Sequence, residues 1–230
     1  MPEEYAKGEK DMKKRARGLC VAALLLVAFA LWTVLVCAVD VQPIGPNGTA
    51  VGFATLNGAV HRFTGVHMEL YVITDWLGLV PIALALGFAA LGLWQWIRRK
   101  SPWRVDRSIL VLGGFYVAVA AAYIFFEMLV INYRPILIDG RLEASYPSST
   151  TALVLCVMPT AAMQLRARIR HRFLRRLAVL AIALFSAFTV GARLLSGVHW
   201  FSDIVGGVLL CAGLVGLYAA LAGKAADDLK

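Results

Sequence analysis

Six uncharged apolar runs leave this chain few folds to choose from. They cover residues 19–39, 76–97, 108–126, 144–165, 177–192 and 204–223. A bilayer core of roughly 30 Å takes about 20 helical residues to cross. Four runs have that length; the third can extend past Glu127 towards Asn132, and the fifth through Arg193 towards Val198. With 60% hydrophobic and only 16% charged residues, the composition is not that of a soluble globular domain. In lipid each backbone amide must find its partner inside the protein, so such spans are helices. The expected fold class is all-α: a polytopic membrane protein with six transmembrane helices.

A net charge of +9 would suit a nucleic-acid binder, but its distribution argues for another role. With the N-terminus placed in the cytoplasm, the N-terminal tail holds six lysines and arginines, the second loop five, the fourth six and the C-terminal tail two. Nineteen of the 23 therefore fall on one side. That asymmetry is the positive-inside pattern, which puts both termini in the cytoplasm. No nucleic-acid partner is expected. The remaining four, Arg62, Arg134, Arg141 and Arg193, fall on or near the opposite side.

This topology divides the chain into a basic cytoplasmic tail at 1–18, a six-helix membrane domain at 19–223 and a short cytoplasmic tail at 224–230. An external loop occupies 40–75. It opens with turn formers (Pro43, Gly45, Pro46 and Asn47-Gly48) and continues as a mildly amphipathic stretch over 51–72. A short helix lying on the outer surface is expected there, placed to act as a lid, with His61 and His67 as surface histidines. Cys20, Cys37, Cys156 and Cys211 form no CxxC pair and sit in or beside apolar runs. They read as small hydrophobes, not as metal ligands or disulfide partners. Most tryptophans, Trp200 among them, fall near run ends, as interfacial anchors do.

Polar residues inside this topology carry the chemistry. Arg134 follows the third run on the external side, and Pro147-Ser148-Ser149 opens the fourth helix there. Arg193 lies near the external end of the fifth, with His199 and Asp203 at the external start of the sixth. Segments remote in sequence thus converge at one depth, where unpaired charge is costly and usually functional. The free amides and positive dipole end of a helix N-terminus hold phosphate well, and Ser148 and Ser149 add hydroxyls. Arg134 and Arg193 offer planar, multidentate contacts to phosphate oxygens. His199 and Asp203 are four apart, which on one helix face lets the carboxylate orient the imidazole.

Arg134-Pro135, Pro147-Ser148-Ser149 and the Arg193, His199, Asp203 set resemble the three signature motifs of the type 2 phosphatidic acid phosphatase family. The resemblance covers roughly residues 75–222. It implies a membrane lipid phosphatase working through a phosphohistidine. His199 is then the nucleophile and Asp203 its orienting partner, while Arg134, Arg193, Ser148 and the Ser149 amide bind phosphate. No metal or cofactor is implied.

Three positions depart from the pattern. Where the family has a lysine seven residues before the first arginine, this chain has Glu127. Where the third motif opens with serine, it has Ala192. Where the second motif ends in the histidine that serves as general acid, it has Thr150. Glu127 lies two helical turns before Arg134, and a structural pair supporting Arg134 is expected. A threonine hydroxyl is far too weak an acid to replace imidazolium, a role typically worth ~10²–10⁴ in rate. Three readings of Thr150 remain open: a deliberate inactivating substitution, a natural catalyst for diphosphates, and a binder that does not hydrolyse.

The expected activity is hydrolysis of a lipid phosphate or diphosphate, such as undecaprenyl diphosphate, phosphatidic acid or phosphatidylglycerol phosphate, at the outer leaflet of a bacterial inner membrane. The alternative is a non-catalytic lipid-phosphate binder or transporter on the same fold. Substrate and membrane lipids are the expected partners.

Overall fold

The computed structural model describes residues 2–227. Helix α1 (Pro2–Ala38) runs unbroken from the basic segment into the first apolar run. The tail read at 1–18 is therefore helical from Pro2 onward. After a turn at Pro46–Gly48 come α2 (Ala54–Thr64) and α3 (Met68–Leu77), then α4 (Leu79–Arg99). Gly78 keeps right-handed helical angles, so α3 and α4 form one long span, Met68–Arg99. The loop expected over 40–75 thus gives way to helix after His67, because 68–77 is helical. Asp75, whose charge had marked the loop boundary, is tolerated within the helix because its carboxylate lies 3.9 Å from Arg193 Nη2.

Helices α5 (Arg107–Met128), α6 (Ser149–Arg168), α7 (Arg172–Leu195) and α8 (Phe201–Asp227) complete the bundle. Among the described residues, six spans are long and apolar enough to cross a membrane; this is an all-α polytopic membrane fold. The third and fifth runs extend as expected past Glu127 and through Arg193, but only as far as Met128 and Leu195, short of Asn132 and Val198. Residues 228–230 of the expected C-terminal tail lie outside the described residues.

Helix α1 lies antiparallel against α8 through small residues. Gly18 meets Ala220, Ala22 meets Gly216, and Gly213 faces Leu26 so closely that a Cβ there would sit 2.7 Å from its side chain. Such contacts let helix backbones approach where lipid offers no hydrophobic drive to associate. The pairing puts both described ends of the chain at one end of the bundle. Helix α6 is the least apolar span and the most enclosed. Its Val154, Val157 and Ala161 are buried, because it faces protein on most sides. At the end that holds the described chain ends, Gln95, Arg99 and Arg168 surround Asp106. Gln164 donates to the Tyr218 hydroxyl at 2.7 Å, tying α6 to α8.

At the opposite end, the turn between α7 and α8 presses on the segment between α2 and α3. Gly197 has φ +70°, and a Cβ there would lie 2.1 Å from the Gly65 carbonyl oxygen; His67 N donates to Ser196 O beside it. Gly197→Ala therefore combines a left-handed backbone with a backbone clash. It should cost at least ~1–3 kcal/mol, read as a lowered thermal midpoint in detergent. An unchanged midpoint would show that this turn is not held against the segment between α2 and α3.

Candidate active site

The site end is organised by a feature outside the helices. Residues 132–145 form a short hairpin, with bridges pairing Tyr133 with Ala144 and Ile138 with Arg141. Its tip is Asp139-Gly140, both at positive φ, as a two-residue type I′ turn requires. The pairing sets Arg134 N on Glu143 O at 3.1 Å and Ser145 N on Asn132 O at 2.9 Å. Four side chains of the site region, Asn132, Arg134, Glu143 and Ser145, are thus positioned by one turn.

Asp203 lies in the first turn of α8 and is fully buried. Three donors surround its carboxylate: Asn132 Nδ2 at 3.0 Å, Trp200 N at 3.0 Å and Ser145 Oγ at 2.5 Å. His199 is also buried, but it precedes α8, which begins at Phe201. The two residues therefore do not share a helix face, and Nδ1 stands 4.0 Å from the nearer Asp203 oxygen. The expected direct contact is replaced by a relay. His199 Nδ1 lies 3.2 Å from Ser145 O and 3.0 Å from Ser145 Oγ. A carbonyl can only accept, so Nδ1 carries the proton, and Ser145 Oγ–H in turn donates to Asp203. In the neutral ring this leaves the lone pair on Nε2. Burial, with the charges of Arg134 and Arg193 added, holds the imidazole well below its ordinary value of 6.5, so that form prevails at neutral pH.

Arg193, 2% exposed, is held from α3. Its Nη1 donates to Thr74 Oγ1 at 3.0 Å and to Tyr71 O at 3.4 Å, and its guanidinium lies 4.8 Å from the Tyr71 ring centroid. Arg134 approaches the same ring at 5.8 Å. One aromatic ring thus receives both cations. The expected Arg134–Glu127 pair does not form. Arg134 Nε instead lies 3.0 Å from Glu143 Oε2, an approach off the N–H direction that leaves Nε without a hydrogen bond. The hairpin puts Glu143 across from Arg134, whereas Glu127 stays on α5 and lines a cavity.

Ser148 is the N-cap of α6, so that helix begins at Ser149 and Pro147 lies outside it. The amides of Ser149, Thr150 and Thr151 have no backbone acceptor. Ser148 N is tied to Asp203 O at 3.3 Å, which seats this helix end beside the His199 relay. Buried polar atoms without partners include His199 Nε2, Ser148 Oγ, Arg134 Nη1 and Arg193 Nε. Buried polar atoms are normally satisfied. Their concentration here, at a helix N-terminus beside two guanidiniums, fits a tetrahedral anion. Among the described residues no group of three or more His, Cys, Asp or Glu is placed to hold a metal ion.

Thr150, also buried, lines a cavity of about 450 Å³ with Ser145, Ser149 and Glu127. The cavity continues between helices along apolar side chains such as Val119, Phe126, Leu153 and Leu214. At the same end of the bundle, α2 is docked rather than merely laid on the surface: Asn57 donates to Ser202 Oγ at 2.9 Å and accepts from Ser202 N at 3.0 Å. His61, expected at the surface, is half-buried with its ring 5.5 Å from that of Trp200, while His67 is exposed. Trp200 is itself buried and donates to Tyr133 O at 2.8 Å, so it braces the hairpin and is no interfacial anchor.

Residues 129–226 match the model of the PAP2 superfamily. The PAP2 match takes in Arg134, Ser148–Thr150, Arg193, His199 and Asp203, together with the hairpin, and it begins two residues after Glu127. It covers somewhat less than half of the chain. The whole fold is similar to the crystal structure of a transmembrane PAP2 type phosphatidylglycerolphosphate phosphatase from Bacillus subtilis. The TM-score is 0.56 at 17% identity, over 91% of this chain and 97% of that one. That likeness is one of fold alone and spans most of the chain. No curated protein matches the chain.

Proposed function

We propose that this protein is a membrane lipid phosphatase that hydrolyses a lipid phosphate or diphosphate through a phosphohistidine on His199. The observation that carries the reading is the set of unpartnered buried atoms on Arg134, Ser148, Arg193 and His199, gathered from the hairpin, α6, α7 and the turn before α8. Arg134, Arg193, Ser148 and the free amides at Ser149 and Thr150 hold the phosphoryl oxygens. The Nε2 lone pair attacks phosphorus, the bond to the leaving oxygen breaks, and water then displaces the imidazole to release phosphate. The ring becomes cationic while phosphorylated, and the relay through Ser145 sets that charge against Asp203. The apolar cavity beneath Thr150 takes part of an acyl or prenyl chain; its volume lies within the usual range for a ligand site, about 300–1,000 Å³. The positive-inside count supports a site facing away from the cytoplasm, which in a bacterial inner membrane is the periplasmic side.

Thr150 favours a second reading, a binder or transporter that retains the cradle without turnover. Phosphate release from undecaprenyl diphosphate and from phosphatidic acid, by the protein in mixed micelles, separates the two. Release from either lipid supports the phosphatase. Saturable binding of both lipids without release supports the binder.

Within the phosphatase reading, Tyr71 is a positioning residue for both arginines. Tyr71→Leu should raise KM about tenfold, the effect of losing ~1.4 kcal/mol of cation–π contact, with kcat changed much less. Tyr71→Phe keeps the ring face and should stay near the parent. Equal losses in both variants would show that the hydroxyl, and not the ring, matters.

A further inference from the structure

The mechanism leaves one pair of nucleophiles unused. Cys156 on α6 and Cys211 on α8 are each 1% exposed, and their sulfurs are 3.3 Å apart. Both line the cavity that runs down from Thr150, and Cys211 Sγ also lies 3.5 Å from Ala152 O. The two other cysteines, Cys20 and Cys37, are exposed and lie on one helix. Seventeen residues of helix separate those two by about 25 Å, so they cannot share one small ligand.

We propose that Cys156 and Cys211 form a chelating dithiol site on the cavity wall, which takes a trivalent thiophilic centre such as an organic arsenical. Capture of an arsenoxide uses both thiols at once. Two arsenic–sulfur bonds form and the arsenic–oxygen bond breaks. Both thiol protons leave on that oxygen as water. Arsenic stays trivalent, no oxidant or reductant is consumed, and neither reactants nor product carry net charge. A lone cysteine supplies one sulfur and gives a readily hydrolysed adduct, so two sulfurs already in contact confer selectivity. The site is separate from the phosphate cradle and does not rest on the phosphatase reading.

The test uses the full chain in detergent with phenylarsine oxide, removal of excess reagent, then denaturation and alkylation with iodoacetamide. Intact mass should rise by one reagent less one water, and peptide mapping should find Cys20 and Cys37 alkylated with Cys156 and Cys211 protected. The Cys20→Ala/Cys37→Ala double variant should keep the adduct. Cys156→Ala and Cys211→Ala should each lose it while eluting as a single species on gel filtration. Alkylation of Cys156 and Cys211 in the treated parent would overturn the proposal. Because that readout needs no variant, it decides the matter even if a cysteine replacement misfolds.

Discussion

Replacing His199 with glutamine should abolish turnover, lowering kcat by at least ~10³-fold, while affinity for phosphate or vanadate stays within a few-fold of the parent. The split follows from the geometry. Arg134, Arg193, Ser148 and the α6 amides are held by the hairpin, by Tyr71 and Thr74, and by the helix itself, and none depends on the imidazole. A phosphoenzyme that survives alkali and breaks down in acid should accumulate in the parent and be missing from the variant. Persistent turnover in His199→Gln would remove the nucleophile assignment. Ser145→Ala tests the relay: it removes one hydrogen bond to a buried carboxylate and one acceptor for the ring, but leaves the Ser145 carbonyl. A bond of that kind is worth ~1.5–3 kcal/mol, which corresponds to a roughly 10–100-fold fall in kcat.

The same histidine fixes the pH response. Attack needs the neutral ring, and burial with two nearby guanidiniums holds its proton affinity well below the ordinary 6.5. The acid limb of kcat/KM should therefore lie below pH 6.5, and Arg134→Gln, which deletes one of those charges, should move it upward. Stability has the matching sign. An unfolded chain protonates this histidine as pH falls through about 6.5, whereas the native site resists. This contribution to stability is intact above 6.5 and declines below it until the native ring also takes a proton. An acid limb at or above 6.5 in the parent would contradict the surroundings assigned to His199.

The spans were legible because their signal is local. Twenty uncharged residues in a row admit one solution in lipid, and the six runs reappear as six spans. Boundaries were less legible wherever a charge meets a distant partner. Asp75 reads as the end of a loop until Arg193, 118 positions later, is seen beside it. The residues that support the site show the same contrast. Arg134, Ser148, Arg193 and His199 stand out as polar groups in apolar sequence. Tyr71 and Thr74 look like ordinary members of a helix, and their contacts with Arg193 span about 120 residues with no pattern to announce them.

Ser145, Asn132 and Glu143 are a different case, because a signal was present. Asp139-Gly140 between Leu137-Ile138 and Leu142 is a strong local hairpin pattern. Reading it would have paired Arg134 with Glu143 and replaced the expected Glu127 partner. Counting Ser145 and Tyr146 within an apolar run obscured that turn. The spacing of His199 and Asp203 misled for a related reason. Four residues mean one helix face only inside a helix, and α8 starts between them.

Thr150→His should raise hydrolysis of phosphatidic acid by ~10²–10⁴-fold and change hydrolysis of undecaprenyl diphosphate far less. The reason lies in the leaving group. An alkoxide leaving from a phosphate monoester is strongly basic and needs a proton as the bond breaks. A departing lipid phosphate is already a weak base and needs little help. Thr150 is the second residue of α6, buried, and shares the cavity wall with Ser145 and Ser149, so an imidazole there would enter beside the phosphate cradle. The parent protein should then favour the diphosphate, and the variant should narrow that preference from the monoester side. A comparable gain on both lipids would mean that protonation limits both reactions, and the threonine would then not select for a diphosphate. No gain on either, in a variant that still binds both lipids, would mean that chemistry is not limited at this position.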